Sequence, residues 1–360
     1  MVLNLDEHDH RTKRALWAIP VSDIAGVARH ALDVAANGIP GWDLAYLCPP
    51  GPLPTLLRER GARVHEEPFG PAHGMVSSLR SLRRTVARVR PRVVHSHLSY
   101  ADIVAAAGTP RAVRLVTTEH GIAADDLVYH RSGRKARVMA QVHRQRLRRF
   151  DAAIAVSEAT ATAMRAKWGG STPIRVVPNG VDPRPRAAAP RPGLRVLSLA
   201  RLAPEKGIPD LLRAFALVAE RHPDARLVVA GVGGLAPALR TLARELRLHD
   251  RVTFPGFVEA GAALADADVV AMLSVWENCS YTLLDAATTG LGVVASPVGG
   301  NHEILPTRCL ADPGDPEVVA AALVRQGQEV AERPVLADWP SVATMCATIG
   351  EVYDGVGSPP

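Results

Sequence analysis

Two cations five residues apart give the first chemical lead. Arg201 and Lys206 lie in A-R-L-A-P-E-K-G-I, after an apolar run over 194–200 that reads as a strand and before an amphipathic run over 208–220 that reads as a helix. A guanidinium fork and a mobile ammonium in one such turn suit a diphosphate. Taken by itself, the loop also reads as two solvated surface cations. The same strand–loop–helix order returns in S-V-W-E-N-C-S-Y-T-L-L-D. Glu277 falls in that loop, and Ser280, Tyr281, Thr282 and Leu283 start the helix, where free backbone N–H groups suit an anion. Asp285 lies about one turn inside. V-V-A-S-P-V-G-G-N-H-E then gives a strand followed by Gly299 and Gly300, where backbone can approach a ligand closely, and by Glu303. A nucleoside diphosphate joined to a sugar requires this set: amides and cations for phosphate, carboxylates for sugar and ribose hydroxyls.

Alternating elements have to position these groups. Apolar runs at 16–20, 44–47, 64, 92–95, 113–117, 152–156 and 174–177 read as strands, separated by helical patterns that include one opening at S-D-I-A-G-V-A and a basic one over 77–89. V-D-P-R-P-R-A-A-A-P-R-P-G, over 181–193, is too rich in Pro for a helix or a central strand and reads as a linker. Alternation then restarts, with strands at 194–200, 227–230, 252–254, 269–273 and 293–295 and helices at 235–246 and 282–289. The pattern predicts an α/β protein of two doubly wound, Rossmann-like domains, with ligands at the carboxyl ends of the strands and in an interdomain cleft. The domains are expected over 14–182 and 194–337, joined by 183–193, with a final helical segment over 338–360 that crosses back to the first domain or stays with the second.

The motif set resembles glycosyltransferase family 4, retaining enzymes of the two-domain GT-B fold. The residues that carry the resemblance are Arg201 with Lys206, Glu277 with Asp285, and S-P-V-G-G-N-H-E, supported by L-V-V-A-G-V-G-G, R-V-T-F-P-G-F-V, A-D-V-V-A-M-L-S and V-V-P-N-G-V-D. They cover most of 194–305 and, more loosely, the first half. The resemblance implies that Arg201 and Lys206 bind the diphosphate and stabilise the leaving group. It implies that Glu277 contacts the donor sugar and Asp285 the ribose diol. Gly231, Gly299 and Gly300 would line loops near the donor, and backbone at Phe257 and Val258 would meet the base. In the first half, Gly26 matches a loop that approaches donor and acceptor, and His120, in T-E-H-G, matches a His near the transferring carbon.

The sequence departs from the family pattern at three places. Asp285 stands where the family usually has Glu, Val232 replaces the usual acid of G-x-G, and the first-half Gly pair is Ala25-Gly26. All three bear on donor identity and leave the diphosphate cations in place. The implied activity is transfer of a hexosyl group, with retained configuration, from a nucleotide-diphosphate sugar to a sugar, polyol or lipid-linked hydroxyl acceptor, as in polysaccharide or natural-product glycosylation. A UDP-sugar is the first choice of donor. No carboxylate nucleophile is evident, which points to a front-face displacement resting on positioning and charge. A GT-B sugar-nucleotide epimerase and a catalytically silent binding protein are the alternatives.

No cofactor and no metal is expected to be required. Asp266 and Asp268 form a D-A-D where a helix meets the start of a strand, the wrong end for the site, and Asp125-Asp126 reads as a polar loop. His95 and His97 suit a cleft lining and a buried strand end equally. Tyr281 suits nucleotide packing or core, and Cys279 has no base beside it. Net charge is +6, which favours anionic partners. No zinc-finger, RNP or homeodomain pattern points to nucleic acid. Arg131, Arg134, Lys135, Arg137, Arg144, Arg146, Arg148 and Arg149 form a dense basic block, read either as a solvated helix or as a peripheral contact with anionic membrane at its cytoplasmic face. Four well-separated cysteines, a polar N-terminal tail and the absence of a membrane-length apolar run predict a reduced, cytoplasmic protein. Oligomeric state leaves no mark in the sequence.

Overall fold

The computed structural model describes residues 13–122, 141–183 and 190–357. These form two compact units. The first takes in the described parts of 1–122, 129–180 and 340–360, and the second those of 181–339.

In the first unit, seven parallel strands are ordered β3-β2-β1-β4-β5-β6-β7. They are β1 (Lys13–Ala18), β2 (Trp42–Cys48), β3 (Arg63–Glu66), β4 (Val93–His97), β5 (Arg114–Glu119), β6 (Ala152–Ala155) and β7 (Ile174–Val176). The helices between them are α1 (Gly26–Asn37), α2 (Pro52–Glu59), α3 (Gly74–Val89), α4 (Ser99–Gly108) and α5 (Glu158–Trp168), and residues 141–147 are also helical. The second unit has five parallel strands in the order β10-β9-β8-β11-β12: β8 (Arg195–Leu199), β9 (Arg226–Ala230), β10 (Val252–Gly256), β11 (Val269–Met272) and β12 (Gly292–Ala295). Its helices are α6 (Ile208–Arg221), α7 (Ala236–Glu245), α8 (Ala260–Ala265), α9 (Tyr281–Thr288), α10 (Asn301–Ile304) and α11 (Pro316–Gln328). The last helix, α12 (Val342–Gly357), belongs to the first unit.

Strands covered on both faces need continuous apolar runs, and A-A-I-A in β6, V-V-A-M in β11 and G-V-V-A in β12 are buried at every position. In each sheet the chain starts centrally and winds outward both ways. The strand order therefore reverses between β1 and β4 in the first unit and between β8 and β11 in the second, and such switch points leave a crevice at the carboxyl ends.

Several helices depart from the sequence expectation. Residues 21–25 are not helical, and α1 starts at Gly26. Helices α2, α4 and α11 had no counterpart in the periodicity. Proline at the first turn masks α2 and α11, where its missing N–H costs nothing, and Asp315 caps α11 by accepting from Glu317 and Val318 N–H. S-Y-A-D-I-V-A-A-A-G in α4 is too uniformly apolar to show a stripe.

Trp17, Tyr46 and Tyr353 are fully buried in the first core. Trp17 Nε1 donates to Tyr353 Oη at 2.8 Å, which ties α12 to the central strand. Phe215, Leu211 and Leu212 on α6 pack with Leu323 on α11 in the second core. Each such side chain contributes about 1.5–3 kcal/mol when buried. Among the described residues, no helix is long and apolar enough to cross a membrane.

Candidate active site

The second unit collects most of the expected donor residues around its switch point. Strands β8 and β11 pair directly, Val196 with Val269 and Leu197 with Val270, so the loops leaving their carboxyl ends are neighbours. Lys206 comes from the first loop and Glu277 from the second, and Lys206 Nζ donates to Glu277 Oε1 at 2.5 Å. Both side chains are mostly buried, 19% and 13% exposed. Glu205 joins the same loops through its backbone: its carbonyl accepts from Val275 N–H at 2.9 Å. Arg201 stands at the rim. Its side chain is 71% exposed and donates to Glu205 Oε1 at 2.8 Å.

Behind Glu277 runs the Gly299-Gly300 turn after β12. Gly299 has φ near +50°, and a Cβ there would lie 1.9 Å from the Glu277 carbonyl oxygen. The same carbonyl accepts from Gly300 N–H at 3.0 Å. A side chain at 299 would therefore push the glycine turn and the Glu277 loop apart. Gly299→Ala is expected to raise KM for the donor about tenfold or more, the equivalent of the ~1–3 kcal/mol that forced backbone costs. Initial rates against donor concentration check this, and an unchanged KM would contradict it.

Ser280 caps α9, its hydroxyl accepting from Leu283 N–H at 3.4 Å. Tyr281 and Leu283 are buried, and Thr282 is half-buried. Asp285 is also buried, 3% exposed, with its backbone carbonyl accepting from Thr288 and Thr289 hydroxyls. Gly231, at the end of β9, has φ near +136° and donates its N–H to the Gly256 carbonyl at 2.7 Å; an added Cβ would meet the Ala200 carbonyl. Phe257 follows on the edge strand, 70% exposed, with Val258 half-buried beside it. Val232, at the acid position of G-x-G, is 60% exposed. Asp266 caps the end of α8, and Asp268, just before β11, is held by Arg195 through three hydrogen bonds at the opposite end of the sheet.

In the first unit His120 sits just past β5 in a histidine cluster at that unit's own switch point. His97, the last residue of β4, shares a hydrogen bond with His120, Nδ1 to Nε2 at 2.9 Å. His30, one turn after Gly26 on α1, lies 5.0 Å from the His120 ring. His95 bonds Tyr353 Oη at 2.6 Å and Thr118 Oγ1 at 2.8 Å. Gly26 itself is exposed, and a Cβ there would meet nothing within 4 Å.

Burial keeps all four rings neutral. It lowers His30 to about 4, against a hydrogen bond with Asn179 that raises it. It holds His95, His97 and His120 well below their ordinary range, with the neighbouring histidines adding to the effect. Below pH ~6.5 the unfolded chain takes up protons that the folded state refuses, so stability falls as pH falls, by about 1.4 kcal/mol per pH unit for each such histidine. Asp102 and Glu119, raised by burial, act in the opposite sense but are two against four. Tm is expected to drop steeply from pH 6.5 to 5, and thermal melts across that range check it. A flat profile would contradict this picture of the cluster.

Sequence reading missed the clamp that holds His120. Glu119 accepts from Gly121 N–H at 3.2 Å and from Arg146 Nη2 at 3.2 Å, so one carboxylate brackets the histidine. Arg146 also pairs with Asp102 at 3.3 Å. Asp102 in turn accepts from Ser96 on β4 and Thr117 on β5 at 2.6 and 2.8 Å. The basic block is therefore not uniformly a solvated or membrane-facing surface: Arg146 is 4% exposed and lies over the Trp168 ring at 4.9 Å. Arg131, Arg134, Lys135 and Arg137, like Asp125 and Asp126, lie outside the described residues.

Comparison with known families gives the class of the chain. Residues 24–184 match the model of Glycosyltransferase Family 4, and residues 193–328 match Glycosyl transferases group 1. The fold is GT-B: the chain superposes on HepE of Anabaena in complex with UDP-glucose with a TM-score of 0.76 at 20% identity, covering 96% of this chain and 97% of that one. This chain belongs to the group 1, family 4 glycosyltransferases, enzymes that use nucleotide sugars. Among its relatives are a glycogen synthase of Mycobacterium tuberculosis, 29% identical over 92% of each chain, and a 2-deoxystreptamine glucosyltransferase of Streptomyces kanamyceticus, 30% identical over 56% of this chain and 57% of that one.

Proposed function

We propose that the protein transfers a hexosyl group from a UDP-sugar to a hydroxyl acceptor with retention of configuration and without a required metal. The observation that carries this reading is the Lys206–Glu277 bridge across the β8/β11 switch point. It holds an ammonium and a carboxylate side by side at the carboxyl ends of the strands, where a diphosphate and the sugar bonded to it would meet them.

In the proposed reaction Lys206 and Arg201 neutralise the diphosphate as the glycosidic bond to its oxygen breaks. The acceptor oxygen forms the new bond on the same face, and its proton passes to the leaving diphosphate, so no protein nucleophile is needed. Glu277 orients sugar hydroxyls, and the amides at Ser280–Leu283 and the Gly299-Gly300 turn support the phosphates and sugar. Asp285 serves the ribose diol, Gly231, Phe257 and Val258 the nucleoside, Gly26 the donor loop, and His120 the region of the transferring carbon. Acceptors of the small polyol kind suit the aminocyclitol-glucosylating relative, and polymeric glucan suits the glycogen synthase relative.

A thermal-shift panel of UDP, GDP and dTDP with their common sugars tests the donor. The expected result is the largest stabilisation by UDP compounds, with release of UDP on adding an acceptor. A larger shift with GDP compounds would replace the proposed base. UDP-sugar binding without release by any acceptor would favour a silent binding protein.

A further inference from the structure

The histidine cluster contains more than a single histidine near a sugar would need. His30, His97 and His120 each offer a ring nitrogen, and the three nitrogens lie within 4.8 Å of one another. They come from three separate elements: α1, the last residue of β4, and the turn after β5. His97 is fully buried, and its Nδ1 is the nitrogen turned toward His120. His30 is oriented by its hydrogen bond with Asn179, as outer partners orient metal-ligating histidines.

We infer that His30, His97 and His120 form a binding site for a divalent transition metal ion of the zinc class, separate from any need of the transfer reaction. In a tetrahedral zinc site with bonds of about 2.0–2.1 Å, the nitrogens sit roughly 3.3 Å apart. The 2.9 Å between His97 Nδ1 and His120 Nε2 is within a few tenths of an ångström of that, and the set of three, within 4.8 Å of one another, closes by ring rotation as the ion binds. The rings are neutral, which is the ligating form. Three imidazoles with no carboxylate among them suit Zn²⁺, Co²⁺, Ni²⁺ or Cu²⁺ and not the hard ions Mg²⁺ and Mn²⁺. Glu119 is next to His120 in sequence, but its carboxylate is taken by Arg146 and Gly121 N–H. His120 is the least buried of the three, so the fourth position faces solvent on its side.

A bound ion takes up the His120 nitrogen, so occupancy inhibits transfer. That consequence, unlike binding itself, rests on the role proposed for His120.

The test uses the full chain with His8→Ala and His10→Ala, which keeps the N-terminal tail from competing. Titration with Zn²⁺ by calorimetry is expected to give one site, and Co²⁺ a visible absorption band of tetrahedral type. Mg²⁺ and Mn²⁺ are expected to give neither. His30→Asn and His97→Gln should each weaken Zn²⁺ binding by about 100-fold or more, a larger loss than removal of an outer partner brings, with circular dichroism confirming a folded chain. Absence of Zn²⁺ uptake by the parent chain overturns the site, and so does undiminished uptake by folded His30→Asn and His97→Gln. Binding without inhibition of transfer leaves the site standing and overturns the role of His120.

Discussion

Lys206→Ala is expected to lower kcat for sugar transfer by about 10²–10³-fold, the effect of removing one preorganised charge from a developing anion. The geometry favours the upper part of that range. The ammonium is mostly buried, and its place is fixed by Glu277 at 2.5 Å, so little reorganisation is left when the diphosphate departs. Arg201→Ala should also cut turnover, by less, because its guanidinium is 71% exposed and is screened by water. The fold should survive both changes, since neither side chain belongs to the core cluster of its unit. Steady-state rates with matched circular dichroism spectra test this. Near-normal turnover in both variants would remove the diphosphate-binding assignment.

Arg146→Ala is expected to have the largest effect on stability. It leaves two buried carboxylates, Asp102 and Glu119, without their cation, and breaking a buried pair in this way costs about 3–5 kcal/mol. At roughly 2–4 °C per kcal/mol for a unit of this size, Tm should fall on the order of 10 °C. Loss of the Trp168 contact contributes a smaller part, which Arg146→Met separates by keeping the apolar packing. If charge is the cause, adding Asp102→Asn and Glu119→Gln to Arg146→Met should recover much of the loss. A Tm within a degree or two of the parent for Arg146→Ala would mean that the triad does not hold the β4–β5 ends together.

These two residues also mark how far the sequence could be read. Lys206 was legible because its chemistry is local: a strand, a turn with two cations and a helix follow one another within about fifteen residues. Glu277, Ser280 and Gly299 were legible for the same reason, each at a strand end with its own turn or helix signal. Strands such as β11 and β12 announced themselves through unbroken apolar runs. Arg146 was not legible, because its partners lie 44 and 27 residues away in sequence, one of them on α4, a helix too evenly apolar to show a stripe. His30 carried no motif at all; only the return of the chain from α1 to the ends of β4 and β5 places it beside His97 and His120. Local chemistry survives in sequence order, whereas a buried charge network or a cluster drawn from three elements depends on the strand order, which no local pattern encodes.

A calorimetric titration of UDP and of uridine into the parent protein and into Lys206→Ala asks most directly whether Lys206 holds the diphosphate. The expected result is a single site for UDP, markedly weaker binding of uridine because the diphosphate is missing, and a loss of about tenfold or more for UDP in Lys206→Ala. UDP binding that Lys206→Ala leaves unchanged, or no binding of any common nucleoside diphosphate, would contradict it.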